Sequence, residues 1–242
     1  MRWIRVGIVL VSAAALGGCA TAVPAMIGAS TTPNNRTDVG FGGAARVPLG
    51  ELKDPAVIDP GDSQYRYAAD AGGVVPMAYG RYGLADRWDL GLMVSGATVR
   101  AEVRYERVLT EGTTRKALVV GMAPYGGWIA ERDQSGGGGR VGFEVPFAFG
   151  VEIGGIYEIW LGARGSGEYV FGDFQIAGSE QRASGAGLRA GPVVGMALGI
   201  RRIHVLVELT AAYEHWFIDH AGTSLDRGGF VLIPGFGVRL RF

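Results

Sequence analysis

Three histidines (His204, His215 and His220) and a single cysteine (Cys19) are the side chains of this chain best suited to proton transfer, nucleophilic attack or metal binding. Asp219 beside His220, with Ser224 nearby, has the composition of a hydrolytic triad. Adjacent residues on a strand point to opposite faces, so this pair reads as ordinary solvated polar residues of a loop. Glu214, His215 and Asp219 lack a recognised ligand spacing, and no metal or other cofactor is assigned. The run Gly136 to Gly139 lacks the GxxxxGK order and any following helix, so it is a loop tip and not a phosphate cradle. One cysteine excludes a disulfide framework and a CxxC metal site. What remains is a chemistry of paired charge. Arg100, Glu102, Arg104 and Glu106 alternate with Val99, Ala101, Val103 and Tyr105, placing both signs on one face of a strand.

Such alternation recurs in segments of about ten residues, the pattern of strands with one apolar and one polar face. Strands are expected near Thr37 to Arg46, Val74 to Gly83, Trp88 to Ser95, Val99 to Val108, Lys116 to Trp128, Arg140 to Glu152, Ile156 to Glu168, Ala186 to Gly199, Arg202 to Glu214, and Gly229 to Phe242. That makes ten, the first being thin in large apolar side chains. The chain is 48% hydrophobic and only 19% charged, with 42 Gly. Beyond its first residues no apolar run approaches the ~20 that a membrane helix needs, so the apolar side chains must be spread over strands. Lys+Arg and Asp+Glu are both 23, which leaves no net field to attract nucleic acid.

Both ends of the chain carry resemblances. Met1-Arg2-Trp3-Ile4-Arg5, an apolar run from Val6 to Leu16 and the small residues after it make a secretory signal peptide. Leu16-Gly17-Gly18-Cys19 resembles the lipobox of bacterial lipoproteins, which implies removal of residues 1–18 and acylation of Cys19. The competing reading is an ordinary signal peptide cut after Ala22 or Ala25; the position of the sole cysteine favours the lipobox. Ala20 is not the Asp that in this class marks inner-membrane retention. At the other end, Gly235 to Phe242 alternates apolar residues with Arg or Gly and stops on an aromatic. It resembles the C-terminal strand signal of bacterial outer-membrane β-barrels, with Gly237, Leu240 and Phe242 in the three places of that signal. The resemblance is to a broad class. It implies an antiparallel up-and-down transmembrane barrel over residues 37–242, with residues 19–36 as a lipidated tether, outer-membrane lipid and the barrel-assembly machinery as partners, and other envelope proteins as candidates.

With a periplasmic N-terminus, the turns Leu84 to Arg87, Leu109 to Arg115, Ile153 to Gly155 and Ile200 to Arg201 fall on the periplasmic side. The long connections Val47 to Gly73, Ile129 to Gly139, Tyr169 to Gly185 and His215 to Gly228 fall outside, as bacterial barrels require. Lipid on one face then dictates that the charges look inward. The expected lumen charges are Arg81, Asp89, Arg100, Glu102, Arg104, Glu106, Glu144, Arg164, Arg189, Glu208, Arg239 and Arg241. In a barrel of about ten strands the interior is small, and the balanced signs favour a salt-bridged plug over a narrow channel. Outer-membrane phospholipases and lipid A deacylases resemble one another in a His-x-Ser on a strand, and the chain has none. The reading is a non-enzymatic envelope barrel with a structural or docking role. A narrow channel for ions or small polar solutes is the alternative.

Overall fold

The computed structural model describes residues 23–52, 73–130, 137–176, 179–200, 202–220 and 223–242. Cys19 and the expected signal peptide lie outside them. The described residues form ten strands: β1 (Thr37–Pro48), β2 (Gly73–Ala85), β3 (Trp88–Ser95), β4 (Thr98–Thr110), β5 (Thr114–Ala130), β6 (Gly137–Ile153), β7 (Tyr157–Ile176), β8 (Ser179–Ile200), β9 (Ile203–His220) and β10 (Thr223–Arg241). Each pairs antiparallel with its neighbours in the chain, and β1 pairs with β10, so the sheet closes. The strand count and the up-and-down order match the expectation from sequence. β1, poor in large apolar side chains, is held on both sides: Val39 lies opposite Leu240 and Gly80.

The rim where β1 begins and β10 ends, the terminal rim, carries tight turns. At β6–β7 Gly154 and Gly155 have φ of 60° and 67°, which favour glycine. The Ile156 N–H closes this turn on the Ile153 carbonyl at 3.1 Å. At the far rim two connections depart from expectation. The stretches Tyr169 to Gly185 and His215 to Gly228, read as long loops, are mostly strand, since β7 runs to Ile176 and β8 starts at Ser179, while β9 runs to His220 and β10 starts at Thr223. Main-chain pairing needs only a partner strand. The apolar/polar alternation that reveals a strand in sequence is lost here because the inner face is apolar as well: Val170, Ala183, Trp216 and Ile218 are buried together, while Tyr169, Phe171 and Phe217 are exposed outside.

Alternation sorts the side chains between two environments. Val141, Phe143, Val145, Phe147 and Phe149 of β6, and Ile203, Val205, Val207 and Leu209 of β9, are exposed on the outer wall. Their neighbours Glu144, His204, Glu208 and Thr210 are buried inside. Aromatic rings flank this apolar band. Trp88 packs on Tyr105 at 4.9 Å between centroids near the terminal rim, and Tyr213 meets Phe230 edge-on at 5.3 Å towards the far rim. Inside, large rings lie flat on the wall where the adjacent strand offers a glycine: Tyr79 over Gly40, Tyr125 over Gly142, Trp160 over Gly195 and Trp216 over Gly187. Lumen glycines are thus seats for lumen aromatics.

Candidate functional site: the charged lumen

The wall charges form three groups. In the middle of the barrel Arg104 grips Asp89 with Nε at 2.9 Å and with Nη2, a bidentate pair between β4 and β3. Glu102 accepts from Arg81 and Arg100 at 3.0 Å each, Arg100 continues to Glu144 at 2.9 Å, and Arg164 pairs with the other Glu144 oxygen. This makes one unbroken chain of alternating charge across β2, β4, β6 and β7. The alternating charges of β4 thus pair within the strand, Arg100 with Glu102, and with other strands, Arg100 with Glu144, Glu102 with Arg81 and Arg104 with Asp89.

The second group lies towards the far rim. Glu214 accepts from Arg46 Nη2 and Arg189 Nε at 2.5 Å each, and Glu168 lies 3.6 Å from Arg189 and 3.7 Å from Arg140. The third lies at the terminal rim, where Arg239 and Arg241 reach Glu158 at 2.5 and 3.1 Å, and Arg241 also approaches Asp38 at 3.4 Å. Glu106 meets Arg115 at 2.8 Å there.

Residues 23–32 are buried inside the barrel without regular secondary structure. The sequence reading gave this stretch the role of a tether. It runs inward from Asn34, which forms a bridge with Gly83, to Val23 beside Arg164. The wall holds it by its main chain and by three hydroxyls, since Ser30, Thr31 and Thr32 donate to Glu152, Glu106 and Asp38 at 3.2, 2.7 and 3.3 Å. Arg164, Arg100 and Arg81 donate to the carbonyls of Val23, Ala25 and Met26 at 2.8, 3.1 and 2.7 Å, and Arg104 donates to that of Ile27. Carboxylates take the amides: Glu208 accepts from Met26 and Ile27 at 2.6 and 3.0 Å, Glu106 from Thr31 at 3.0 Å, and Asp89 from Thr32 at 2.7 Å. The Trp160 indole donates to the same Glu208 carboxylate at 3.0 Å.

The apolar side chains of the segment complete the packing. Ala25, Ile27 and Ala29 join Val119, Ala148, Trp160, Val193, Ala197 and Leu206, while Val23 and Met26 join Met77, Tyr79 and Met93. Gly150 is a notch for this strap, because a Cβ there would stand 2.1 Å from the Ala29 carbonyl oxygen.

All twelve charges singled out from sequence thus lie on the inner wall: Arg189 in the far group, Glu106, Arg239 and Arg241 towards the terminal rim, and the other eight in or beside the middle network. Asp38, Arg46, Arg140 and Glu168 also belong there and were missed. All four lie at or next to the expected limits of their strands, where alternation gives no secure face, and Arg140 also follows a run of glycines. Of the C-terminal residues, Gly237 lies on the inner register, where a Cβ would come within 2.9 Å of the Phe41 carbonyl oxygen, and Phe242 is exposed. The histidines do not converge. His204 Nε2 donates to the Gly155 carbonyl at 3.0 Å, and His215 pairs with Asp226 at 2.6 Å while Glu214 next to it faces inward. No group of three potential metal ligands occurs among the described residues.

A closed antiparallel barrel with an apolar exterior and a charged interior decides the architecture. The fold is that of an outer-membrane β-barrel. No protein-family model and no curated protein matches the chain. Among solved structures the barrel is similar to the outer membrane protease OmpT from Escherichia coli, with 10% identity over 88% of this chain and 98% of that one and a TM-score of 0.44. It is also similar to the outer membrane protein OprG from Pseudomonas aeruginosa, at 11% identity, 88% and 98% coverage and a TM-score of 0.40. The attachment invasion locus protein Ail of Yersinia pestis matches at 12% identity, 86% and 99% coverage and a TM-score of 0.38. These are likenesses of architecture, and no activity passes from them to this barrel.

Proposed function

We propose that the protein is an integral outer-membrane barrel, additionally anchored by acylation of Cys19, with a filled lumen and a structural or docking role in the cell envelope. The observation that carries this reading is the double use of the middle charges: Arg81, Arg100, Arg104 and Arg164 each pair with a carboxylate of the wall and each also hold a carbonyl of residues 23–27. Charges engaged in this way fill space and rigidify a wall, whereas a conducting lumen presents its charges to water. The terminal rim, with its tight turns, is the periplasmic one on this reading, and the long hairpins of β7–β8 and β9–β10 stand outside.

Docking is supported by the terminal rim. Depressions of about 280 Å³, bordered by Thr31, Asn34, Asp86, Arg87, Glu111 and Arg115, and about 160 Å³, bordered by Arg36, Asp38, Arg202 and Arg241, present mixed charge there. Conductance of purified protein in planar bilayers tests the filled lumen. Wild-type protein should stay silent. Steady conduction, with ion selectivity altered by Glu102→Gln at unchanged heat stability, would assign the narrow channel instead. Metabolic labelling with a fatty acid tests the anchor: Cys19→Ser should abolish the label, and label retained by that variant would refute it.

A further inference from the structure

The contacts of residues 23–32 are those of a ligand. The segment does not extend the sheet as an eleventh strand; its isolated bridge to the wall is at Asn34, opposite Gly83. Inside the barrel it is read by polarity, arginines on carbonyls and carboxylates on amides, as described above. Its side chains are mostly small or apolar and lie against apolar wall residues. A clasp of this kind recognises main chain over residues 23–27 and adds hydroxyl contacts at Ser30, Thr31 and Thr32 towards the terminal rim.

The wall also has its own pairing to fall back on. Without the segment, Arg104 keeps Asp89, and the chain from Arg81 through Glu102, Arg100 and Glu144 to Arg164 stays intact. Leaving therefore strips no arginine of this group of its counter-charge. The seat itself is demanding: Met26 and Gly28 hold φ of 44° and 75°, and the Ala29 main chain fills the notch at Gly150.

We propose that this half of the lumen is a binding site for an irregular polypeptide segment held outside the sheet, filled in cis by Val23–Thr32 and able to take a separate peptide of small, apolar and hydroxyl-bearing residues in its place. The proposal rests on the filled-lumen reading and extends it, because it makes the filling an exchangeable ligand. It commits the site to peptide, and ions or small solutes would not compete for it.

The test uses two full-length variants altered only in the segment. Ala29→Phe forces a ring into the apolar cluster of Val119, Ala148 and Trp160, where Ala29 is buried. Met26→Pro removes the amide that Glu208 accepts and cannot adopt the φ of this residue. Each is reconstituted in phosphatidylcholine vesicles, checked for heat-modifiable migration, and titrated with a fluorescently labelled synthetic peptide of residues 23–34. Saturable binding to a variant and none to wild type, whose site is filled, is the expected result. N-methylation of Met26 or Ile27 in the peptide should weaken binding roughly tenfold, equivalent to about 1.4 kcal/mol. Equal binding to wild type and variant, equal binding of methylated and plain peptide, or no binding to either folded variant would overturn the proposal. Conductance of the wild type alone judges the filled-lumen reading, so the two can fail separately.

Discussion

Replacing Arg104 by Gln should strip Asp89 of its bidentate partner. Asp89 is fully buried and, among the described residues, is left with the Thr32 amide at 2.7 Å as its donor. Removing one partner of a buried ion pair typically costs about 3–5 kcal/mol, because the remaining charge stays desolvated and uncompensated. The Ile27 carbonyl also loses its donor, so the upper part of that range is expected. Adding Asp89→Asn removes the stranded charge, and the double variant should recover most of the loss. Unfolding in urea of protein folded into lipid vesicles, followed by tryptophan fluorescence, measures all three variants. Both single changes and the double change form a cycle whose coupling reports the pair. If Arg104→Gln stays within about 0.5 kcal/mol of wild type, as a surface substitution would, the lumen is wet at this depth and the packed-wall reasoning fails.

Three further outcomes follow from the same geometry. Gly150→Val should push the strap out of its notch, so a Thr31→Cys reporter, buried in wild type, should become reactive to a membrane-impermeant maleimide in the double variant; unchanged protection would show that the strap tolerates a side chain there. Val207→Arg puts a cation on the outer wall of β9 and should lower folding stability by ~2–4 kcal/mol near the bilayer midplane, whereas no loss in vesicles would contradict a lipid-facing β9. Deleting the exposed Phe242 should reduce the amount of heat-modifiable barrel in the outer membrane more than Arg241→Gln does, and equal yields would argue against an assembly role for the C-terminal aromatic.

The sequence by itself determined the wall. Lipid outside and charge inside impose a period of two, and wherever that period is strong, as in Val99 to Glu106 or Ile203 to Leu209, strand and face are both legible. It determined also that Arg100, Glu102, Arg104 and Glu106 put both signs of charge on one face of β4, where they need partners. Tertiary structure alone decided which partners these are: Glu144 reaches Arg100 from β6, and Glu158 reaches Arg239 from β7 to β10, pairings set by barrel curvature and side-chain length across the lumen. The long hairpins at the far rim were invisible because both of their faces are apolar, with Trp216 and Ile218 buried beside the exposed Phe217. The lumen strap was invisible for a deeper reason. Residues 23–32 are held mostly through main-chain amides and carbonyls that every residue carries, and the small apolar and hydroxyl side chains that add to the hold carry no period to set them apart from a loop.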